Sequence, residues 1–473
     1  MDRKLPVKWA ELSSQERVMS FDEVSLGYTE EQVLKEAARC LQCEDPQCSK
    51  GCPVGIDIKS FIYHVTQREY NKAYNIIRAR NDFPSICGRV CPSEYQCRKS
   101  CILTKKNSPF ADEKAINIHL IERFVGDYGR KNKIPKNIKV TEKYKNKKVA
   151  VIGSGPAGLC AAGELASSGV KVVIFEALHK PGGVLVYGIP PFRLPRDVLA
   201  HEIKTLQALG VEIKTDIVAG RAVLLDEFFA DGFDAVFLGL GAGIPGFLGV
   251  PGENLANIYS ANEFLTRVNL MSAHKFPEYR TPINVGRHVV IVGGGNTAMD
   301  AARTAVRIQK SKGYEINVKI VYRRTEKELP ARRFEIGHAY EEGIIFKFLT
   351  LPAEFEGLDG RVSKIKCLEC RLGEPDESGR MRPEKIPGSE FIMPCDTAVI
   401  AVGLGANKVL TSVTPSIKTD RWGDIIIDPN TMATSVKNVF AGGDIVGGEG
   451  TVIEAMGMAK RAAVSILRSF DDK

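Results

Sequence analysis

The chain has 473 residues, which is too many for one hydrophobic core and enough for about two to four domains. Its composition, 44% hydrophobic and 26% charged, excludes large-scale disorder, and its net charge of +8 is weak evidence for nucleic acid, so we expect none. Residues 1–30 lack an apolar core, and no stretch predicts a membrane span. We therefore expect a cytoplasmic protein with no membrane contact.

Residues 1–144 predict a helical domain whose loops carry cysteines. Thr29, followed by glutamates and apolar residues at helical spacing, predicts a capped helix. Of the 12 cysteines in the chain, eight lie between Cys40 and Cys101. In a cytosolic chain, such a cluster predicts metal binding rather than disulfides.

The spacing of these cysteines predicts two [4Fe–4S] clusters. Short loops let several thiolates face one cluster, and the two groups of four are Cys40, Cys43, Cys48 and Cys52, then Cys87, Cys91, Cys97 and Cys101. In bacterial two-cluster ferredoxins, the cysteine before proline ligates the other cluster, so Cys52 should leave its own group. Structural zinc, which usually shows two tight pairs with a longer spacer, fits less well, and disulfides fit least.

A basic stretch, residues 130–148, separates this domain from the next. It holds nine Lys/Arg residues and one acid, Glu142. It predicts an interdomain linker or, alternatively, a docking surface for an acidic protein.

Residues 145–284 predict the first segment of an FAD-binding domain. A buried strand leads into a glycine turn, in which Gly153 permits the tight turn, Gly155 the approach of a pyrophosphate and Gly158 close helix–strand packing. The helix N-terminus then faces the phosphates. Glu176, at the end of the next strand, is the expected ribose-binding acid, and Gly183 is assigned to the same site.

Residues 285–397 predict an NADPH-binding domain with a second glycine turn. Its predicted contacts are Gly293, Gly295, Asn296 and Thr297. The strand that follows ends in Arg323 and Arg324 rather than an acid, and guanidinium groups can clamp a 2′-phosphate that a carboxylate would repel. The alternative is that this arginine pair is a solvated strand end.

Residues 398–473 predict the second segment of the FAD-binding domain. We expect Gly443 and Asp444 to reach the flavin ribityl chain, and Thr451 and Val452 to point backbone N–H groups at the pyrimidine ring. The predicted fold is α/β with an N-terminal α-helical iron–sulfur domain and two Rossmann-like domains, the second inserted in the first.

Several segments together carry a family resemblance: CLQCEDPQCSKGCPVGID, CGRVCPSEYQC, VAVIGSGPAGL, YGIPPFRLP, GGGNTAMD, YRRTEKELPARR and VFAGGDIVGGEGTVIEAMG. The chain resembles the glutamate synthase small subunit superfamily. Within it, CPVGID and the C-terminal segment look most like the large subunit of the NADH-dependent reduced ferredoxin:NADP oxidoreductase, an electron-bifurcating transhydrogenase. The glutamate synthase small subunit is a close second, and the N-terminal domain also resembles that of dihydropyrimidine dehydrogenase.

The resemblance implies a division of cluster ligands. One cluster would be held by Cys40, Cys43, Cys48 and Cys101, and the other by Cys52, Cys91, Cys97 and Glu122. Cys87 would then be spare. The alternative, in which Cys87 is the ligand and Glu122 an ordinary surface acid, stays open at this point.

The resemblance also implies a function with no acid–base catalytic residue. Electrons would pass between NADPH, FAD, the two clusters and ferredoxin, with a second, smaller FAD/[2Fe–2S] subunit that binds NAD. One alternative is the electron-input small subunit of glutamate synthase. Another is a non-catalytic scaffold or redox sensor, against which the intact glycine turns and cysteines count.

Overall fold

After residue 147 the chain forms two parallel sheets together with the helices that pack on them. A helical part precedes the sheets. The computed structural model describes residues 5–104, 114–135, 141–376, 379–447 and 450–471. Residues 136–140 of the basic stretch therefore lie outside the described residues. Among the described helices, none is long and apolar enough to cross a bilayer.

The α-helices within the described ranges are, in chain order, α1 Ser14–Met19, α2 Glu30–Ala37, α3 Gln47–Lys50, α4 Ile58–Thr66, α5 Tyr70–Arg78, α6 Pro84–Val90, α7 Ile118–Lys131, α8 Pro156–Ser167, α9 Val184–Tyr187, α10 Arg196–Ala208, α11 Leu225–Ala230, α12 Ala261–Asn269, α13 Asn296–Ser311, α14 Arg333–Glu341 and α15 Val452–Asp471.

The β-strands within the same ranges are β1 Ala10–Glu11, β2 Ser25–Gly27, β3 Lys148–Ile152, β4 Lys171–Phe175, β5 Glu212–Lys214, β6 Ala235–Leu238, β7 Ala242–Pro245, β8 Ile258–Ser260, β9 Val289–Val292, β10 Val318–Val321, β11 Ile345–Lys347, β12 Thr350–Leu358, β13 Arg361–Pro375, β14 Met381–Lys385, β15 Phe391–Pro394, β16 Thr397–Ile400, β17 Leu404–Ala406 and β18 Val439–Ala441.

The N-terminal part is helical, as the sequence predicts. Thr29 caps α2, and the Gln32 side chain accepts a hydrogen bond from the Thr29 backbone N–H in return. Helices α6 and α7 cross closely at Gly88, where a Cβ would lie only 2.6 Å from the Arg123 Cα atom. This crossing brings Cys87 of α6, and Cys91 directly after the helix, beside Glu122 of α7.

The first sheet has the strand order β18-β6-β3-β4-β5, with every pair parallel. Its central strands β3 and β6 are apolar and almost wholly buried, as expected for a parallel sheet covered on both faces. Helices α8 and α15 pack against each other within the same core. Strand β18 returns to this sheet after the second sheet is complete, which confirms that the second nucleotide-binding domain is inserted in the first.

The second sheet has the order β11-β10-β9-β16-β8 and is also parallel. A small antiparallel sheet follows in the chain, in which β13 pairs with β12, β14 and β15. Strands β13 and β14 form a hairpin, and Arg380, just before β14, lines a cavity together with the second glycine turn.

The sheets place the domain boundaries differently from the predicted 284/285 and 397/398. Strand β8 precedes residue 285 and yet pairs in the second sheet, while β16 straddles residue 397. Strands β7 and β17, where the chain leaves and re-enters the first domain, pair with each other. We therefore propose that the inserted domain spans residues 246–403.

A buried cluster of ion pairs links the FAD-binding domain to the inserted domain. It is formed by Arg193, Arg303, Arg307, Glu335 and Glu342. We call it the interdomain ion cluster, because Arg193 precedes α10 in the FAD-binding domain and the others belong to the inserted domain. The ring of Phe192 packs against two of its guanidinium groups, at 4.7 and 3.9 Å. On its N-terminal side, Arg307 Nε donates to the Ser20 carbonyl at 2.9 Å.

Candidate functional site

Four cysteines line one cavity in the N-terminal domain, and they are Cys40, Cys43, Cys48 and Cys101. Burial first, and then the neighbouring thiols of Cys101 and Cys40, raise the pKa of Cys48 to about 12. The structure thus brings Cys101 to the first three cysteines of the earlier group. This is the set that the family resemblance implies for one cluster.

A second set surrounds Glu122 and consists of Cys52, Cys91 and Cys97. Burial, opposed by backbone hydrogen bonds and reinforced by the charge of Glu122, raises the pKa of Cys52 to about 11. Burial also raises the pKa of Cys97 well above its usual value, with further contributions from Cys52 and Glu122. These four side chains are therefore close enough to share one electrostatic environment.

Glu122 is not the surface acid of the alternative assignment. It is buried on α7, and Asn81 Nδ2 donates a hydrogen bond to its Oε1 atom at 2.5 Å. Burial raises the pKa of Glu122 to about 8, although the Asn81 hydrogen bond opposes the rise. A carboxylate buried among thiols needs a compensating partner, and a metal site would provide one.

Cys87 lies in the same region, fully buried on α6 one turn before Cys91. Its Sγ atom is 3.6 Å from Asn81 Oδ1 and 3.7 Å from Met456 Sδ. The structure therefore keeps Cys87 close to the second set, and the choice between Cys87 and Glu122 stays a prediction.

The described thiols are spaced more widely than the ligands of a single metal ion would be. Among the described residues, no three His, Cys, Asp or Glu side chains are grouped tightly enough to hold one ion. A cubane needs a wider arrangement, because each thiolate binds a separate iron.

The second cysteine set adjoins the cavity of the first glycine turn. Val90 and Pro92, on either side of Cys91, line that cavity. Gln96 Nε2, next to Cys97, donates to Thr451 Oγ1 at 3.5 Å, just before α15. The second set is thus the one nearer the predicted flavin.

The cavity beside the first glycine turn, which we call the flavin cavity, measures about 530 Å³. This volume is within the usual range for cofactor sites. Its walls include most of the residues predicted at this site, namely Gly153, Gly155, Glu176, Gly183, Gly443, Asp444, Thr451 and Val452. Gly158 instead lies behind the turn, where a Cβ would collide with the Gly153 carbonyl.

The glycine turn leaves open space where a pyrophosphate would approach. Gly153 has a φ of +95°, and a Cβ there would collide with the Gly239 carbonyl. At Gly155 a Cβ would meet no protein atom within 4 Å. Helix α8 begins directly after Gly155 without a side-chain cap, so its first N–H groups are available to an anion. These features fit the pyrophosphate of FAD.

Glu176 contacts the glycine turn as well as the cavity. Its Oε2 atom accepts hydrogen bonds from the Ser154 backbone N–H, at 2.9 Å, and from the Ser154 hydroxyl. Asp444, which also lines the cavity, has a pKa raised by burial. Both acids therefore line the cavity, and their contacts with a ribose and a ribityl chain stay predictions.

A second cavity, of about 340 Å³, lies beside the second glycine turn. Its walls include Gly293, Gly295, Thr297, Arg323 and Arg324. Helix α13, like α8, begins without a side-chain cap. Thr297 also lines the flavin cavity, so the two cavities meet at the start of α13.

Asn296 is placed differently from the expectation for an NADPH contact. It lines the flavin cavity, and its Oδ1 atom accepts a hydrogen bond from the Arg332 backbone N–H at 2.9 Å. The side chain thus fastens the loop before α14 to the glycine turn.

The two predicted phosphate-binding arginines differ in their surroundings. Arg323 is exposed at the second cavity. Arg324 is only 2% exposed, and its guanidinium donates to Asp376 Oδ2 at 2.8 Å and to the Met381 carbonyl at 2.7 Å.

Sequence reasoning missed Arg193 and Asp300 in the flavin cavity. Arg193 Nη1 donates to Asp300 Oδ2 at 2.6 Å, while Asp300 Oδ1 is buried with no hydrogen-bond partner among the described residues. Burial, opposed by Arg193, raises the pKa of Asp300 to about 6. The residues lie in YGIPPFRLP and GGGNTAMD, the motifs that carry the resemblance.

Comparison with known proteins agrees with this geometry. Residues 17–134 match the family of the 4Fe-4S cluster domain II of dihydropyrimidine dehydrogenase, and residues 147–459 match the pyridine nucleotide-disulphide oxidoreductase family. The small chain of NADPH glutamate synthase from Escherichia coli (strain K12) is 36% identical, over 95% of this chain and 94% of its own length.

The chain belongs to the glutamate synthase small subunit superfamily. It is an NADPH-dependent oxidoreductase with an FAD-type domain and a 4Fe-4S domain. The beta subunit of NADP(+)-dependent formate dehydrogenase from Moorella thermoacetica is 39% identical over 89% of this chain, which spans 59% of that relative's length.

A solved structure, Mycobacterium tuberculosis FprA in complex with NADPH, shares the fold of the nucleotide-binding part. It has a TM-score of 0.58 and 21% identity, over 69% of this chain and 85% of that chain.

Proposed function

We propose that this chain is the NADPH-linked subunit of an electron-transfer complex, and that it moves electrons between NADPH and ferredoxin through FAD and two [4Fe–4S] clusters. The observation that supports this is the unbroken order of the sites. The second cavity meets the flavin cavity at Thr297, and the flavin cavity meets the second cysteine set at Val90 and Pro92. Cys48 of the first set is among the neighbouring groups that raise the pKa of Cys97 in the second.

The chain's own residues orient the cofactors and exclude water. Bound FAD supplies exchange between two-electron and one-electron donors, and bound clusters supply one-electron transfer. The glycine turns with the start of α8 and of α13 would hold the two pyrophosphates. One cluster, which we call the outer cluster, would be held by the first set, Cys40, Cys43, Cys48 and Cys101. The other, the inner cluster, lies nearer the flavin cavity and would be held by Cys52, Cys91, Cys97 and Glu122.

The first cysteine set, which we also call the outer cysteine set, is the proposed exit for electrons. Leu41 and Ile102, each next to a cysteine of this set, are 47% and 68% exposed. An apolar surface at a redox centre suits brief contact with a partner protein. The basic stretch suits docking less well, because Arg130, Lys143 and Lys147 pair with acids of this chain.

In finer detail, we propose flavin-based electron bifurcation with a second, smaller FAD/[2Fe–2S] subunit that binds NAD. The proposal is supported by the motif resemblance and by relatives that are themselves subunits, such as the beta subunit of NADPH-Fe(3+) oxidoreductase from Geobacter sulfurreducens, 34% identical over 90% of this chain. We place the protein in the cytoplasm, where the thiols of its cluster sites stay reduced.

The second candidate is the electron-input small subunit of glutamate synthase. Matches over nearly the whole of both chains favour it: the E. coli small chain is covered over 94% of its length, and that of Azospirillum brasilense, 34% identical, over 92%. Because the described residues hold nucleotide and cysteine sites, we propose that glutamate chemistry would take place on a partner.

The first test is the cofactor content of the anaerobically purified chain. Two clusters require about eight irons per chain, together with one FAD. About four irons, or zinc in their place, would contradict the two-cluster proposal. Co-purification of the native protein then separates the two functions, since a small flavoprotein partner supports bifurcation and a large synthase subunit supports the second candidate.

A further inference from the structure

The β13–β14 hairpin contributes Arg380 to the wall of the second cavity, and an ion pair from the buried Arg324 fastens the hairpin to the parallel sheet. Arg324 Nη2 donates to Asp376 Oδ2 at 2.8 Å, and Arg324 Nε donates to the Met381 carbonyl at 2.7 Å. Arg324 follows β10, whereas Asp376 comes directly after β13 and Met381 begins β14. The guanidinium of Arg324 therefore links the hairpin to the parallel sheet.

Asp376 also shapes the turn of the hairpin. Its Oδ1 atom accepts a hydrogen bond from the Arg380 backbone N–H at 3.1 Å, and its own N–H donates to the Arg380 carbonyl at 2.8 Å. One carboxylate thus receives Arg324 on one oxygen and fixes the backbone of Arg380 with the other. The pairing also neutralises a negative charge that would otherwise repel a phosphate.

This arrangement brings a third arginine to the cavity. Arg380 is exposed and lines the cavity together with Arg323 and the second glycine turn. A second observation indicates that these arginines lie close to the end of β10. Burial raises the pKa of Tyr322, and the charges of Arg324, Arg380 and Arg323 all oppose that rise. Arg323 and Arg380 therefore approach the end of β10 from two different elements.

We propose that Arg380 and Arg323 bind the 2′-phosphate of NADPH, and that Arg324, with Asp376, is a positioning residue that holds the hairpin in place. The inference rests on the proposed NADPH function and changes its assignment of residues. The Arg324 guanidinium is already bonded to a carboxylate and a carbonyl, which leaves fewer of its own N–H groups for a ligand. Two arginines on separate elements can surround a phosphate from two sides.

The test compares two fragments that differ only in the 2′-phosphate, 2′,5′-ADP and 5′-AMP. Each is titrated by calorimetry into the anaerobic holoprotein at fixed salt. The wild type should bind 2′,5′-ADP more tightly. Arg380→Ala and Arg323→Ala should each lower the 2′,5′-ADP affinity by a factor on the order of 10–100, with 5′-AMP binding unchanged.

Arg382→Ala is the matched control. Arg382 is exposed on the same hairpin but does not line the cavity, so its removal should leave both affinities unchanged. Asp376→Asn should weaken 2′,5′-ADP although Asp376 does not line the cavity either, because the turn that carries Arg380 would loosen. Arg380→Lys should recover part of the loss, since the charge returns without the planar fork.

Two failures can be told apart. If the wild type binds both fragments equally, the NADPH assignment itself is wrong. If the wild type prefers 2′,5′-ADP and Arg380→Ala prefers it to the same degree, only the assignment of Arg380 is overturned. An unchanged preference in Asp376→Asn would overturn the positioning role of Arg324 and Asp376.

Discussion

The thiol of Cys87 lies 3.7 Å from the thioether of Met456, and this contact joins the helix just before Cys91 to the helix that begins at the flavin cavity. Helix α6 carries Cys87, and α15 carries Met456. Apolar packing by a thiol against a methionine is a structural role that needs no metal. It supports Cys87 as the spare cysteine.

We therefore expect Cys87→Ala to keep both clusters and their EPR signals, at some cost in stability because a buried side chain is shortened. Glu122→Ala should lose or alter one cluster, whereas Glu122→Cys should keep it with a changed potential. Iron content and EPR of the reduced, anaerobic protein measure both. If Cys87→Ala loses a cluster and Glu122→Ala does not, the two residues exchange roles.

A single methyl group at Gly155 should block FAD without harming the fold. The φ of Gly155 is −67°, and its Cβ would meet no protein atom within 4 Å, so it would enter the space predicted for the pyrophosphate. We expect Gly155→Ala to fold with the wild-type far-UV circular dichroism spectrum and with a sharply lower FAD content. Absorbance of released flavin per chain gives the measurement.

Gly158→Ala is the contrasting variant. Its Cβ would collide with the Gly153 carbonyl, so the helix must move away from the strand. We expect poor expression or a lowered Tm even without added FAD. Equal FAD content in Gly155→Ala and the wild type would count against the predicted pyrophosphate site.

The interdomain ion cluster should make the stability of the inserted domain dependent on pH. Burial alone would raise the pKa of Glu342, but the guanidinium groups of Arg303 and Arg307 lower it to about 2. Because this pKa is below the unfolded value of about 4.3, the stabilisation is complete above about pH 5 and is lost as the pH falls towards 2. Glu342→Gln should cost about 3–5 kcal/mol at pH 7, since it leaves buried charge unpaired.

Differential scanning calorimetry checks this at two pH values. The Tm of Glu342→Gln should be about 5–15 °C below the wild-type Tm at pH 7. The gap should narrow at pH 3. Glu31→Gln, which removes an exposed pair with Lys35, should leave the Tm unchanged. A gap that is the same at both pH values would rule out titration of Glu342 as its cause.

Local features were predictable from the sequence because their causes are local. Thr29 caps α2 through residues three positions away, and each glycine turn follows its own buried strand. What escaped prediction depends on distant partners. Arg324 pairs with a residue 52 positions away and Arg193 with one 107 positions away. The pairing of β8 with β16 likewise depends on a fold that no local pattern specifies.

Docking of ferredoxin should involve the exposed apolar residues beside the outer cysteine set. Ile102→Ser should slow ferredoxin reduction while leaving the NADPH-dependent bleaching of FAD unchanged. If docking is electrostatic instead, the rate should fall steeply as salt rises past about 0.1 M, where the Debye length is about 10 Å. Stopped-flow rates for both proteins over a salt series separate these effects, and Ile244→Ser, an exposed change in β7, is the control.

The requirement for NAD⁺ decides whether the complex bifurcates electrons. NADPH alone is too weak a reductant for low-potential ferredoxin, so its uphill electron must be coupled to a downhill one. Two NADPH release four electrons, of which two reduce one NAD⁺ to NADH and two reduce two ferredoxins. We therefore expect the complex with its smaller flavoprotein subunit to reduce ferredoxin with NADPH only when NAD⁺ is present, at two ferredoxins per NADH. The isolated chain should oxidise NADPH slowly. Ferredoxin reduction without NAD⁺ would reject bifurcation, and activity only with glutamine, 2-oxoglutarate and a large synthase subunit would establish the glutamate synthase role instead.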